Sequence, residues 1–355
     1  MFKTRLIAFM STLAALTIAH SAFGWTSNGR WNSDTFTMRA SKVSFPQGSP
    51  FRDALGTVRD RFNENPGNIR IIHSWDDTSI AMGNGQNEVW ASDSLTDKPA
   101  VCYTWYNISG WIKETDVVFA TGINYSTTTN KTSLRPYGGS FRPFQTTALH
   151  EYGHAGGLSH ESDEYNIMGE DWTHVTCNGT TVRAYLGEDA CDGYYDLYGP
   201  ASWNIEDVGV TVFRRSGEVD GYSTHDFCSM GNTSGRMLGQ LGTYEGQPRW
   251  RVAPGQTVSV TFSYENNGKT HKQSPNIAFY ISSNNIISTN DRQIRTGKMD
   301  LTRDNVRTIS SNVTIPADLT PGQTYFLGVI VDWDNAISEV TGSNNAAYHP
   351  IYINF

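Results

Sequence analysis

Charge is sparse in this 355-residue chain, and positive charge sparser. Only 17% of residues are charged, with 27 Lys and Arg against 35 Asp and Glu, for a formal net charge of −8. No basic block occurs, which argues against nucleic acid or an anionic membrane as the main partner. Cysteine is scarce too. Cys102, Cys177, Cys191 and Cys228 are the only four, and none stands in a Cys-x-x-Cys pair. That argues against a dithiol redox centre or a cysteine-built structural zinc site. Beyond residue 24 no apolar run approaches the ~20 residues that a spanning helix needs, so no membrane span is expected. There is no strict internal repeat, and no paired-carboxylate motif of a carbohydrate-cleaving enzyme.

What is present begins with a processing signal. Lys3 and Arg5 precede an apolar core from Leu6 to Ile18, and Ala22 and Gly24 offer small residues for cleavage before Trp25. Residues 1–24 therefore read as a signal peptide and the mature protein as secreted, with periplasmic passage in a Gram-negative host. An even number of cysteines in an exported chain suggests two disulfides, for which sequence permits three pairings. Cys177–Cys191 would close a short loop, a contribution of roughly 3 kcal/mol, leaving Cys102 with Cys228.

Two halves differ in texture. From Trp25 to about Gly199 strands and helices alternate. "TFTMRA" (35–40), "IRIIHSW" (69–75), "AVCYTWY" (100–106) and "TDVVFAT" (115–121) read as strands. "SPFRDALGTVRDRF" (49–62) reads as a helix capped by Ser49, with Pro50 at its first position and Phe51, Leu55, Val58 and Phe62 on one face. A last helix is expected from near Asp189 through "DACDGYYDLYG". Beyond Pro200 the segments "VGVTVF", "TVSVTFSYEN", "NIAFYIS", "SSNVTIP" and "TYFLGVIVD" are strands between turn residues, the spacing of an antiparallel sandwich. The expected organisation is residues 1–24 signal peptide, 25–200 catalytic domain, 201–250 connecting or inserted segment, and 251–355 β-sandwich.

The chemistry lies in "HEYGHAGGLSH" (150–160). On a helix His150 and His154 share a face one turn apart, and Glu151 beside them can act on a metal-bound water. A helix cannot bring position 160 to the same ion, so the chain must turn back. Gly157 is where glycine's access to positive φ permits it. His160 then supplies a third nitrogen, and three neutral ligands with one open position describe a catalytic zinc site. At this composition His-Glu-x-x-His alone arises by chance in about one chain in a hundred. Gly157 and His160 at their offsets lower that to roughly a few in a hundred thousand, which sets chance aside.

The pattern, with Met168 in "EYNIMGE" eight residues after His160, resembles the metzincin zinc peptidases. The eight-residue gap, the strand "ETDVVFA" and the closing "EDACDGYYDLYG" are similar to their matrixin-like group. The resemblance implies an α+β catalytic domain, a twisted mixed sheet plus an active-site helix. It also implies His150, His154 and His160 as zinc ligands, Glu151 as catalytic base and Met168 as a turn residue packed beneath the metal. The activity implied is endopeptidase action on a protein or peptide substrate lying extended along an edge strand near residues 115–121. Glu161 and Glu170 depart from the matrixin pattern, which has serine and proline there, and bear on the shape of the substrate pocket. No Pro-Arg-Cys-Gly latency motif occurs, and no propeptide is expected. The alternative is an adhesion or binding protein that uses a metzincin fold without cutting; retention of Glu151 favours the peptidase. Ligands, base and methionine all precede residue 170, so the first domain is expected to carry the chemistry alone.

Other candidates have two readings. His73 and His174 are substrate contacts or ordinary core or solvated histidines. Asp163, Glu164 and Asp171 bind calcium or form a plain acidic loop. The stretch "PGQTVSVTFSYENNG" through "TPGQTYFLGVIVDWDNAISEVTGSNN" resembles the bacterial cell-adhesion-related domain, an all-β immunoglobulin-like sandwich. That resemblance implies a binding or spacing role toward a surface or matrix ligand. Asp332, Asp334 and Asn335 in it suit either calcium or turn formation.

Overall fold

A computed structural model describes residues 25–131, 141–161, 167–169, 175–214, 227–303 and 305–354. The expected signal peptide, Asp163, Glu164, Glu170, Asp171, His174 and the side chain of Cys177 lie outside the described residues.

The first half is a twisted mixed sheet with helices packed on it. Its main strands are β1 (Thr35–Ser41), β2 (Arg70–Asp77), β3 (Glu88–Ser92), β4 (Ala100–Tyr106) and β5 (Trp111–Ala120). The order across the sheet is β2-β1-β3-β5-β4, parallel throughout except β4, which runs antiparallel to β5. β3 escapes the sequence reading because its "EVWAS" is short and led by a buried glutamate, Glu88. Helix α1 (Pro50–Phe62) forms as its signals dictate: the Ser49 side chain accepts from the Arg52 amide, and Ala54, Leu55, Val58 and Phe62 are buried. Helix α2 (Phe144–Ala155) is buried on nearly every side, wedged between α1 and the sheet. A hairpin of β6 (Val175–Asn178) and β7 (Thr181–Ala184) follows, then α3 (Gly187–Tyr198), which starts two residues earlier than expected. Phe36, Leu55, Phe62, Val117, Phe119, Phe144, Leu149 and Tyr194 are among the residues of one core between sheet and helices.

The second half is a sandwich of two sheets. In one, β8 (Val208–Thr211), β9 (Met230–Asn232) and β15 (Arg307–Thr314) all pair with β12 (Thr257–Asn266). The other has the order β10-β11-β17-β16-β13-β14, from β10 (Gln240–Tyr244), β11 (Gln247–Val252), β13 (Asn276–Ser282), β14 (Arg292–Lys298), β16 (Thr324–Val331) and β17 (Ala346–Ile353). Val210, Trp250, Val260, Phe262, Phe279, Leu327, Val329 and Ile351 fill the space between. Residues 201–250 are thus no mere connection. They contribute β8, which the sequence reads as a strand, and β9 to β11, whose short, Gly- and Arg-containing stretches lack clear alternation yet bury Met230, Trp250 and Val252.

The expected disulfides are corrected by the fold. Cys102, Cys191 and Cys228 are free thiols. Cys102 lies on β4 in the first domain, whereas Cys228 is buried in the sandwich against the Ser263 hydroxyl, so the two belong to different cores. Cys191 packs inside the first core on α3, so the pairing with Cys177 is not made. Among the described residues no helix is long and apolar enough to cross a membrane.

Candidate metal centre

Helix α2 carries His150 and His154 one turn apart and ends at Ala155. Gly156 closes it, and Gly157 takes φ +103°, the turn that its sequence position predicts. A Cβ on Gly157 would also lie 2.2 Å from the Gly29 carbonyl oxygen, so no other residue fits. The reversed chain brings His160 back over the helix. The three Nε2 atoms then stand 3.1 Å from one another in every pair. Among the described residues this is the group of His, Cys, Asp and Glu side chains whose ligand atoms converge.

The outer ring nitrogens fix the chemistry of the inner ones. His150 Nδ1 lies 2.6 Å from the Ile167 carbonyl and His154 Nδ1 lies 2.8 Å from the Leu158 carbonyl. A carbonyl only accepts, so each Nδ1 bears the proton and each Nε2 presents a lone pair. Burial, reinforced by the neighbouring histidines, holds His150 well below the usual histidine range. Burial likewise holds His154 down at about 4. Neutral imidazoles with converging lone pairs repel unless a cation lies between them. Three nitrogens about 2.0–2.1 Å from one tetrahedral ion stand roughly 3.3–3.4 Å apart, close to the spacing here. The donor set therefore fits a zinc-type ion.

The seat beneath is built from α2 and the turn that carries Met168. Met168 is 1% exposed and its sulfur packs against Gly153, between the two helical histidines; a Cβ on Gly153 would lie 2.1 Å from that sulfur. Gly153 went unnoticed in the sequence. The available signal was a glycine in a helix interior, which costs about 1 kcal/mol against alanine and is kept only for a tertiary reason. The Glu161 amide donates to the Met168 carbonyl, pinning the segment after His160. The carbonyls that end α2 are taken by aromatic tips: Trp31 Nε1 to Ala155, Tyr194 Oη to Gly153 and Tyr198 Oη to Gly156. These bonds satisfy groups that every helix end leaves open, and they make the position of α2 rigid.

Glu151 is buried beside the triad, and its carboxyl is pushed up to about 8 by burial, against the pull of Arg142, the Cys102 amide and Lys98. It lines a cleft of about 390 Å³ with Pro99, Ala100, Arg142, Thr147, His150 and His160. One wall of this cleft is the start of β4. The edge strand expected near 115–121 is corrected here: β5 is paired on both sides and fully buried toward its end, and among the described residues β4 pairs only with β5 and is the edge. The hydrophobic run "DVVFA" is the mark of an interior parallel strand, not an edge.

Two expected candidates prove structural. His73 Nε2 lies 2.8 Å from the Tyr152 hydroxyl behind α2, and burial lowers it to about 3, so it braces the helix from outside the cleft. Asp332 takes φ +53° and its two oxygens accept the Ala336 and Ile337 amides, while Asp334 accepts from Asn276. This is turn formation.

The family model for the CARDB domain, an immunoglobulin-like, cell-adhesion-related module, matches residues 243–349, from the end of β10 into β17. A crystal structure of the CARDB domain of a Pyrococcus furiosus protein, in complex with di-metal ions, is 18% identical. It spans 29% of this chain and 78% of that one, with a TM-score of 0.23. A solution structure of the same domain is 16% identical over 29% and 85% of the two chains, with a TM-score of 0.23. A domain of a protein described as a cell-surface protein of Methanosarcina acetivorans is 23% identical over 28% and 77%, with a TM-score of 0.21. No curated protein matches the chain.

Proposed function

We propose that this chain is an exported zinc endopeptidase with a metzincin, matrixin-like catalytic domain joined to its CARDB domain. The observation that carries the reading is the convergence of three Nε2 lone pairs at 3.1 Å beside a buried carboxylate in an open cleft. His150, His154 and His160 would hold the ion. A zinc ion there supplies Lewis acidity, polarising a carbonyl oxygen and making water more acidic.

The chain's own residues supply the rest. Glu151 takes a proton from the attacking water and returns it to the leaving amine, from a position that lines the cleft beside His150 and His160. The Cys102 amide holds that carboxylate against β4. The free edge of β4 offers backbone groups to an extended peptide by strand addition. The scissile bond would then lie over the triad, since Pro99 and Ala100 share the cleft with Glu151. The CARDB domain supports a second role in binding a surface or matrix ligand, alongside catalysis rather than in place of it.

The test is Glu151→Gln. The variant is expected to fold and bind zinc like wild type but to lose ~10²–10⁴-fold in peptide hydrolysis. Hydrolysis within tenfold of wild type would remove Glu151 from the role of base.

A further inference from the structure

The catalytic groups sit on the first domain, yet the elements that hold α2 in place are tied to the second. Residues 125–131 run beside the start of α2. Gln145 Nε2, in its first turn, donates to the Thr127 carbonyl at 3.0 Å, and the Arg142 amide donates to the Asn124 carbonyl. The other side of this segment is joined to the β6–β7 hairpin: Val182 N donates to Thr129 O and Lys131 N to Thr180 O. The hairpin in turn is clasped by the sandwich. Asn178 exchanges two bonds with the backbone of Ile287, at 2.9 and 2.7 Å. The Gly179 amide donates to the Asn285 carbonyl at 2.7 Å. Val182 is buried in the core of the sandwich rather than that of its own domain.

Lys131 closes the same junction. Its side chain is 1% exposed, and its ammonium pairs with Glu245 at 2.7 Å. It also contacts the Tyr348 hydroxyl and lies over that ring. Glu245 is itself held by Tyr348 and Asn285. A lysine this buried, with two specific partner residues across a domain boundary, is costly to place. It marks a junction with one permitted geometry.

We propose that the sandwich is a working part of the active site: through Lys131 and the β6–β7 hairpin it positions the N-terminal turn of α2 and hence the cleft. Lys131 is a positioning residue, remote from the substrate. The proposal rests on the peptidase reading for its kinetic test. It also reverses the expectation that residues up to about Gly199 act alone.

The experiment compares the full chain with Lys131→Met, and with Lys131→Met/Glu245→Gln, in which no buried charge is left unpaired. Displacements on the scale of an ångström far from the chemistry cost up to about 10²-fold in rate. Both variants are therefore expected to bind one zinc but to lose about tenfold in kcat on a short peptide, with KM changed by less than about twofold. Hydrogen exchange at residues 144–155 should quicken in both. If the double variant keeps kcat within about twofold of wild type and melts at a lower temperature, the junction is only a stabiliser and the proposal fails. If wild type itself cuts no peptide, the peptidase reading fails instead. Hydrogen exchange then decides: unchanged exchange in α2 overturns the positioning role, and faster exchange upholds it.

Discussion

Replacing Gly153 by alanine sets two effects of known sign against each other. By helix propensity alone the change stabilises by about 1 kcal/mol, because glycine loses more backbone freedom than alanine in a helix interior. The structure opposes it. The new methyl would lie 2.1 Å from the Met168 sulfur and 3.0 Å from its terminal carbon. An ordinary contact needs about 3.5–4.0 Å, so the sulfur must move by on the order of 1.5 Å within a fully packed seat. Overpacking of this kind costs about 1–3 kcal/mol. Gly153→Ala should thus be destabilising by up to about 2 kcal/mol, the difference of those terms. Met168→Ala alone should cost about 2–5 kcal/mol by opening a cavity. In that background the clash is gone and the new methyl enters the vacated space. Gly153→Ala should then stabilise by about 1 kcal/mol, a reversal of sign. The assay is urea unfolding of the chelator-treated full-length protein, followed by far-ultraviolet circular dichroism, whose helical signal comes from α1, α2 and α3. The reasoning is refuted if Gly153→Ala stabilises the protein with Met168 in place, or if the two changes are additive within about 0.5 kcal/mol.

Other expectations follow from the same geometry. His160→Ala should weaken metal retention on dialysis, since two imidazoles do not hold zinc in a catalytic geometry; full zinc occupancy would count against the triad. Gly157→Ala should disrupt the centre more than its size suggests, because the methyl meets the Gly29 carbonyl at 2.2 Å and φ is +103°; wild-type zinc affinity in that variant would contradict the turn. In the sandwich, burial lowers His349 to about 4 from an unfolded value of about 6.5. The fold favours its neutral form, so its contribution is intact above about pH 6.5 and is lost as pH falls toward 4, by up to about 1.4 kcal/mol per pH unit. Melting temperatures from pH 7 to 4.5 should therefore fall more steeply for wild type than for His349→Phe, and parallel profiles would show that His349 does not titrate in this window.

The local pattern sufficed for what is local. The helix at 50–62 was written in Ser49, Pro50 and four apolar residues at helical spacing, and the structure repeats it. His150, His154, Gly157 and His160 were legible because a helical turn and one glycine bring them together over eleven residues, a distance at which spacing still determines geometry. Sequence-distant partners were not legible. Gly153 reads as a weak helix residue until the Met168 sulfur is placed beside it. "DVVFA" carries the hydrophobic run of an interior strand, but which strands flank it is undecided until β3 and β4 pair on either side of it. Cys102 and Cys228 count as a pair until each is found in its own core. Lys131 is an unremarkable cation among threonines and asparagines until Glu245 and Tyr348, more than a hundred residues away in sequence, close around it. Spacing along the chain fixes which side chains share a face; which faces meet depends on how the sheets and helices bury one another, and that the tertiary structure alone decided.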